Sequence, residues 1–162
     1  MTIRYTRDQS SASDLVGHLE CCSDQFIPAL ADRVNVADYA KKLHCNATRF
    51  EAWHEGELVG LVAAYFSKSD ANSETPQPEH DDVGFISNVS VLRQFGGRGI
   101  ATNLVQQTIQ FSKDHRVLLL ELKVNRDNDA AVSLYGKLGF CIAATEGTEL
   151  NMRLEIGVSD EV

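Results

Sequence analysis

The chain has 162 residues, 43% of them apolar and 23% charged, with a net charge of −8. That length suits one domain, residues 1–162, with a core of its own, and is short for two. The acidic balance argues against a binder of nucleic-acid phosphates or of anionic membrane surfaces, and no apolar run approaches the roughly 18 residues of a membrane span.

Residues 2–7 alternate and suit a short strand. Their flank, MTIRYTRDQSSASD, has no apolar stretch of signal-peptide type. Ser11 or Ser13 can cap a helix carrying Leu15, Val16, Leu19 and Cys22 on one face. A further short helical stretch is expected at 25–31. Asn35 with Asp38 three residues on has the form of a capping box before Val36, Tyr39, Ala40 and Leu43. Strands are expected at 48–55 and 58–66, joined by a turn at Gly56-Glu57. Residues 67–82, SKSDANSETPQPEHDD, hold two of the three prolines and no large apolar side chain, so they read as a long loop.

Residues 83–91 (VGFISNVSV) predict a mostly buried strand, 92–98 a glycine-rich turn, and 99–114 an amphipathic helix. Residues 117–124 (VLLLELKV) predict a strand covered on both faces. A helix starts at Asp127 or Asn128 and stops at Gly139, and a strand pair, 140–145 and 148–156, closes around Glu146-Gly147. This order predicts an α/β protein with a mixed sheet, in which 83–124 forms a right-handed strand–helix–parallel strand unit.

The four cysteines, Cys21, Cys22, Cys45 and Cys141, follow no metal or redox spacing and read as free thiols of a reducing cytoplasm. No metal site is expected.

The most informative stretch is Val91-Leu92-Arg93-Gln94-Phe95-Gly96-Gly97-Arg98-Gly99-Ile100-Ala101, where a strand ends, glycines follow and a helix begins. Glycines let successive N–H groups turn inward, and the first N–H groups of a helix lack internal partners. A phosphate or pyrophosphate is the natural guest, with Arg98 at hand for a charged contact. A tight turn that binds nothing would use the same residues. No Walker A Gly-Lys-Ser/Thr occurs. Gly97 and Gly99 start a dinucleotide fingerprint whose third glycine is absent, and Glu121 sits inside its strand rather than at its end, which disfavours a nucleotide-dependent oxidoreductase.

The Val91–Ala101 stretch, taken with Asn128-x-x-Ala131-x-x-Leu134-Tyr135-x-x-x-Gly139-Phe140, resembles the GNAT acyltransferase superfamily. The resemblance covers 83–145 in detail and the rest by element order. Where the family's loop usually carries Gln or Arg, this chain has Gly96. The resemblance implies a mostly antiparallel central sheet, with a splayed parallel strand pair and flanking helices. It implies acetyl-CoA as acyl donor, held at Gly96, Gly97, Arg98, Gly99, Ile100 and Ala101. It also implies a pantetheine arm along the backbone of Val89 and Val91, with Asn128 in contact with that arm. Asn128 is equally a helix N-cap by position. Tyr135 is implied as the acid for the leaving thiolate; the residue pattern alone allows a core-facing tyrosine beside Ala131, Leu134 and Leu138.

No general base is assigned. His54, Tyr65, His80 and Asp82 are candidates that read equally well as ordinary surface groups. The acceptor is expected near the N-terminal helices and the 67–82 loop, where Asp24, Asp32, Asp38, Glu74, Glu79, Asp81 and Asp82 favour a cationic amine. The expected activity is acetylation of a small-molecule primary amine. The alternatives are a protein N-terminal or lysine acetyltransferase, and a non-catalytic acyl-CoA-binding module. The strands at 140–156 leave a homodimer open.

Overall fold

A computed structural model describes residues 2–66 and 83–156. The loop expected at 67–82, with His80, Asp82 and most of the acidic residues expected at the acceptor side, lies outside the described residues. In chain order the elements are β1 (Arg4–Arg7), α1 (Ala12–Cys22), α2 (Leu30–Arg33), α3 (Val36–Asn46), β2 (Thr48–His54), β3 (Glu57–Phe66), β4 (Val83–Val91), α4 (Ile100–Asp114), β5 (Leu119–Asn125), α5 (Asp129–Lys137), β6 (Cys141–Glu146) and β7 (Glu149–Glu155). Seven strands form one sheet in the order β1-β2-β3-β4-β5-β7-β6. β1–β2, β5–β7 and β6–β7 are antiparallel, and β4–β5 is the parallel pair. The mixed, mostly antiparallel sheet expected from the sequence is therefore present.

The caps follow side-chain chemistry. Ser11, not Ser13, caps α1, and Asp14 returns the bond to the Ser11 N–H, completing a capping box. Asn35 accepts the Asp38 N–H at 3.0 Å and starts α3. The helix expected at 25–31 is instead a 3₁₀ turn, Ser23–Gln25, followed by α2. Pro28 lies between them, and a proline disfavours helical backbone in the residue before it. Both hairpin turns sit one residue from their expected places. Glu55 (φ 49°) and Gly56 (φ 81°) share the first, as a turn with two left-handed centres requires, and β3 begins at Glu57. Gly147 (φ 60°) opens the second after Glu146 has joined β6.

The chain divides into two compact units. One holds the described residues up to Ala63 with Asn88–Gln107, the other the described residues of Ala64–Ser87 and those from Thr108 onward. In the first, Leu15, Leu19, Leu43, Phe50, Leu61, Leu104 and Val105 are buried. Gly60 allows α4 to lie close on β3, since a Cβ there would stand 2.8 Å from Ile100 Cγ2 and 3.1 Å from Leu104 Cδ1.

The same unit buries an ionic cluster. Glu51 is 0% exposed and accepts from Thr6 Oγ1 (2.7 Å), Gln9 N (2.8 Å), Ser10 N (2.9 Å) and Ser10 Oγ. Arg49 Nε lies 3.4 Å from Glu51 Oε2. The Arg49 guanidinium also donates to the Ser10 carbonyl (3.0 Å) and the His44 carbonyl (3.0 Å). A buried charge survives only when paired and hydrogen-bonded in this way.

In the second unit, Leu120, Leu122, Tyr135, Phe140, Leu150 and Met152 are buried. Glu121 faces Arg153 across the β5–β7 register and accepts from its Nη2 at 2.8 Å. β6 ends the sheet and is exposed along its length, with Ile142 54% exposed.

Candidate active site

The glycine turn has the form that an anion cradle needs. After β4, a 3₁₀ turn spans Arg93–Phe95, and Leu92 N donates to the Val59 carbonyl at 2.8 Å. Gly97 (φ +76°) and Gly99 (φ +79°) both take left-handed backbone, which L residues adopt at a cost. The Gly99 carbonyl accepts the Asn103 N–H at 2.9 Å, so α4 begins directly behind it. The first-turn amides of this fifteen-residue helix have no carbonyl one turn back to bond. Gly97, Arg98 and Gly99 are exposed, and Ile100 is buried as the first core anchor of α4.

Two residues of the turn behave differently from the rest. The Gly96 N–H is spent on the Arg93 carbonyl at 3.0 Å, so the row of available amides starts at Gly97. A Cβ at Gly96 would stand 3.2 Å from that same carbonyl. Glycine at this position therefore suits the tight 3₁₀ turn that precedes Gly97. Arg98 holds its guanidinium 5.7 Å from the ring centroid of Phe95, a cation–π contact within the turn.

β4 alternates strictly between buried and half-buried positions. Asn88 and Ser90 fall on the buried face, Val89 and Val91 on the other. The parallel register with β5 joins Val83–Ile86 to Leu119–Leu122, and β4 then runs five residues further.

In the second unit, Asn128 is the N-cap of α5 and accepts the Ala131 N–H at 3.3 Å. Asn125 ends β5 and accepts the Asp127 N–H at 2.8 Å, a turn-forming role. Tyr135 is 6% exposed and is the buried residue of α5, with its ring edge-on to Phe140 at 5.9 Å. Burial raises its phenol pKa above the ordinary 10.0, so the hydroxyl keeps its proton at neutral pH.

Of the candidate bases that are described, His54 Nδ1 lies 3.3 Å from the Thr2 carbonyl and its ring tilts against Phe95 at 5.3 Å. Tyr65 lies on β3. Asp24 pairs with Arg93 at 3.4 Å, and both line an open groove of about 500 Å³ with Cys21, Leu92 and Gln94. Among the described residues no group of three His, Cys, Asp or Glu is placed to hold a metal ion, and no helix is long and apolar enough to cross a membrane.

Sequence reasoning missed the buried pair His18 and Ser90. The signal was present: His18 falls at helical spacing on the stripe Leu15, Leu19, Cys22, while Val16 is only half-buried.

Residues 14–140 match the profile of the Acetyltransferase (GNAT) family, and the chain belongs to that family. Among curated relatives, N-alpha-acetyltransferase 30 of Schizosaccharomyces pombe is 31% identical over 94 residues, which are 55% of this chain and 59% of that protein. L-2,4-diaminobutyric acid acetyltransferase of Vibrio parahaemolyticus is 24% identical over 111 residues, 68% of this chain and 56% of that protein. The chain thus spans little more than half the length of these two relatives. The PaiA N-acetyltransferase of Thermoplasma acidophilum, solved in complex with coenzyme A, superposes with a TM-score of 0.70. It is 15% identical, with 96% of this chain and 99% of that one covered, a likeness of fold.

Proposed function

We propose that the protein is an acetyl-CoA-dependent N-acetyltransferase acting on the primary amine of a small molecule. The observation that carries this reading is the pair of left-handed glycines, Gly97 and Gly99, at the mouth of α4, in a chain of this family. The N–H groups of Gly97, Arg98, Gly99, Ile100 and Ala101 would take the pyrophosphate, helped by the positive end of the helix dipole. The Arg98 side chain adds charge beside them. Gly96 contributes shape only.

When bound, acetyl-CoA supplies an acetyl group already activated as a thioester. The backbone of Val89 and Val91 is assigned to the pantetheine arm and to the thioester oxygen, where an N–H stabilises developing negative charge. Asn128 keeps its capping bond through Oδ1 and has its amide NH₂ for the same arm. Tyr135 holds a proton on Oη and gives it to the departing sulfur as the amine nitrogen bonds to the acyl carbon. The proton lost by the amine passes to water, and water returns one to Tyr135 Oη, with no side chain assigned as base.

A second reading, acetylation of a protein N-terminus, is favoured by the similarity to the Schizosaccharomyces pombe N-alpha-acetyltransferase. The Vibrio parahaemolyticus relative, named for a diamino acid, favours the small-molecule reading. The free thiols fit a reducing cytoplasm, and the exposed edge β6 fits a homodimer through the last strand pair, which sedimentation tests.

Thiol release measured on a panel of diamines, amino acids and short peptides separates the two substrate classes. Tyr135→Phe should lower kcat by about 10²–10⁴-fold with coenzyme A affinity unchanged. Full activity of that variant removes Tyr135 from the chemistry. Coenzyme A binding without turnover on any amine leaves an acyl-CoA-binding module.

A further inference from the structure

A polar chain crosses the core of the first unit. His18 of α1 is 3% exposed, Asn88 is 3% and Ser90 is 5%. His18 Nδ1 lies 2.9 Å from the Leu58 carbonyl oxygen of β3, and Nε2 lies 2.9 Å from Ser90 Oγ of β4. Ser90 Oγ is also 2.8 Å from the Asn88 amide, whose other atom faces the Tyr39 hydroxyl at 3.5 Å.

Proton counting fixes the direction of these bonds. A carbonyl only accepts, so Nδ1 carries the imidazole proton. Burial lowers the His18 pKa to about 4, so the ring is neutral at pH 7 and Nε2 is a bare acceptor. Cys22 Sγ, 3.7 Å from Nε2, is pushed up to about 12 by burial and brings no charge. The single hydroxyl proton of Ser90 therefore goes to Nε2. Ser90 Oγ then needs a donor, and a half-turn of the Asn88 amide, which exchanges its oxygen and nitrogen in place, presents the NH₂ group.

Paired buried polar groups add little net stability, and what this chain adds beyond satisfying the Leu58 carbonyl is fixed position. It adds it where β4 has run past its parallel register with β5, which joins Val83–Ile86 to Leu119–Leu122. Asn88 and Ser90 are hooks on alternate residues of that end, and the Leu92 N–H on the Val59 carbonyl is the next tie.

We propose that His18 is a positioning residue for acetyl transfer: through Ser90 it holds the end of β4, and with it the Val89 and Val91 backbone, in one conformation. This rests on the role assigned to that backbone under the proposed function.

The test has three arms. Imidazole ¹⁵N shifts of the unmodified protein at pH 7 should report a neutral His18 protonated on Nδ1; an Nε2-protonated or cationic ring overturns the proposal. In Ser90→Ala, and separately in His18→Phe, amide exchange at Val89 and Val91 should quicken by about tenfold while Leu122 and Met152 of the other unit keep their rates. The same variants should lose about tenfold or more in kcat with KM for acetyl-CoA within about twofold. A lower melting temperature with kcat, KM and exchange at Val89 and Val91 unchanged overturns the role of His18. A wild type with no affinity for coenzyme A refutes the proposed function instead, and the exchange arm is read without any substrate.

Discussion

Gly99→Ala tests the anion cradle through backbone conformation alone. Gly99 has a φ of +79°, and an added Cβ would meet nothing within 4 Å, so the substitution creates no clash. The cost is that of holding an L residue in the left-handed region, about 1–2 kcal/mol. A domain of this size shifts its melting temperature by about 2–4 °C per kcal/mol. If the turn keeps its shape, Tm falls by about 2–8 °C and coenzyme A affinity is retained. If the turn relaxes to negative φ, Tm falls less, the amides leave their common direction, and Kd for coenzyme A weakens by about tenfold or more, the worth of about one charge-assisted hydrogen bond. Scanning calorimetry and isothermal titration read the two costs separately. Gly97→Asn is the control, since asparagine tolerates this region better than alanine does. A Gly99→Ala protein that melts with the wild type and binds coenzyme A with the wild-type Kd refutes the reasoning, because the cost must appear in one readout or the other.

Glu51→Gln places an amide NH₂ among groups that all donate and leaves Arg49 only the half-exposed Asp8 carboxylate, 4.0 Å away, as counter-charge, so urea unfolding should show a loss of about 3–5 kcal/mol; a loss under about 1 kcal/mol would show that the cluster is not tightly held. For His18, the unfolded ring takes up a proton near pH 6.5 and the folded one only near 4, so the native state binds fewer protons between them. Stability is therefore full above about pH 6.5 and falls by about 3 kcal/mol as pH drops toward 4, and His18→Gln should lose that component of the slope in pH-dependent urea titrations. Gly60→Ala drives a methyl to 2.8 Å from Ile100 Cγ2, so it should cost about 1–3 kcal/mol, measured by calorimetry, unless α4 shifts freely.

The features legible in the sequence are those whose causes lie close along the chain. Ser11 and Asn35 bond amides three residues on, Gly139 (φ +105°) stops α5, and Gly97 and Gly99 turn the chain into α4 within a few residues. Residues 83–91 read as a mostly buried strand, though not as one that alternates strictly between buried and half-buried positions. His18 meets a carbonyl 40 residues away and a hydroxyl 72 residues away, and periodicity alone marks it only as a misplaced polar residue on an apolar stripe. Glu51 lies in a run that reads only as a strand, whereas its donors come from a segment more than 40 residues earlier. The first hairpin turn moved by one residue because the backbone selects two adjacent left-handed centres, and Glu55 accepts one that its side chain does not advertise.

Exposed segments usually tolerate a cut, because little is attached to them. Here Thr6, Gln9 and Ser10 supply the donors that keep the Glu51 carboxylate content in a dry interior, and the Ser10 carbonyl does the same for Arg49. A protease that cuts within this stretch would leave the Arg49–Glu51 pair short of its hydrogen-bond partners far from water, and the damage would spread inward rather than fray outward. A molecule nicked here should register as broadly destabilised rather than as one missing a single strand.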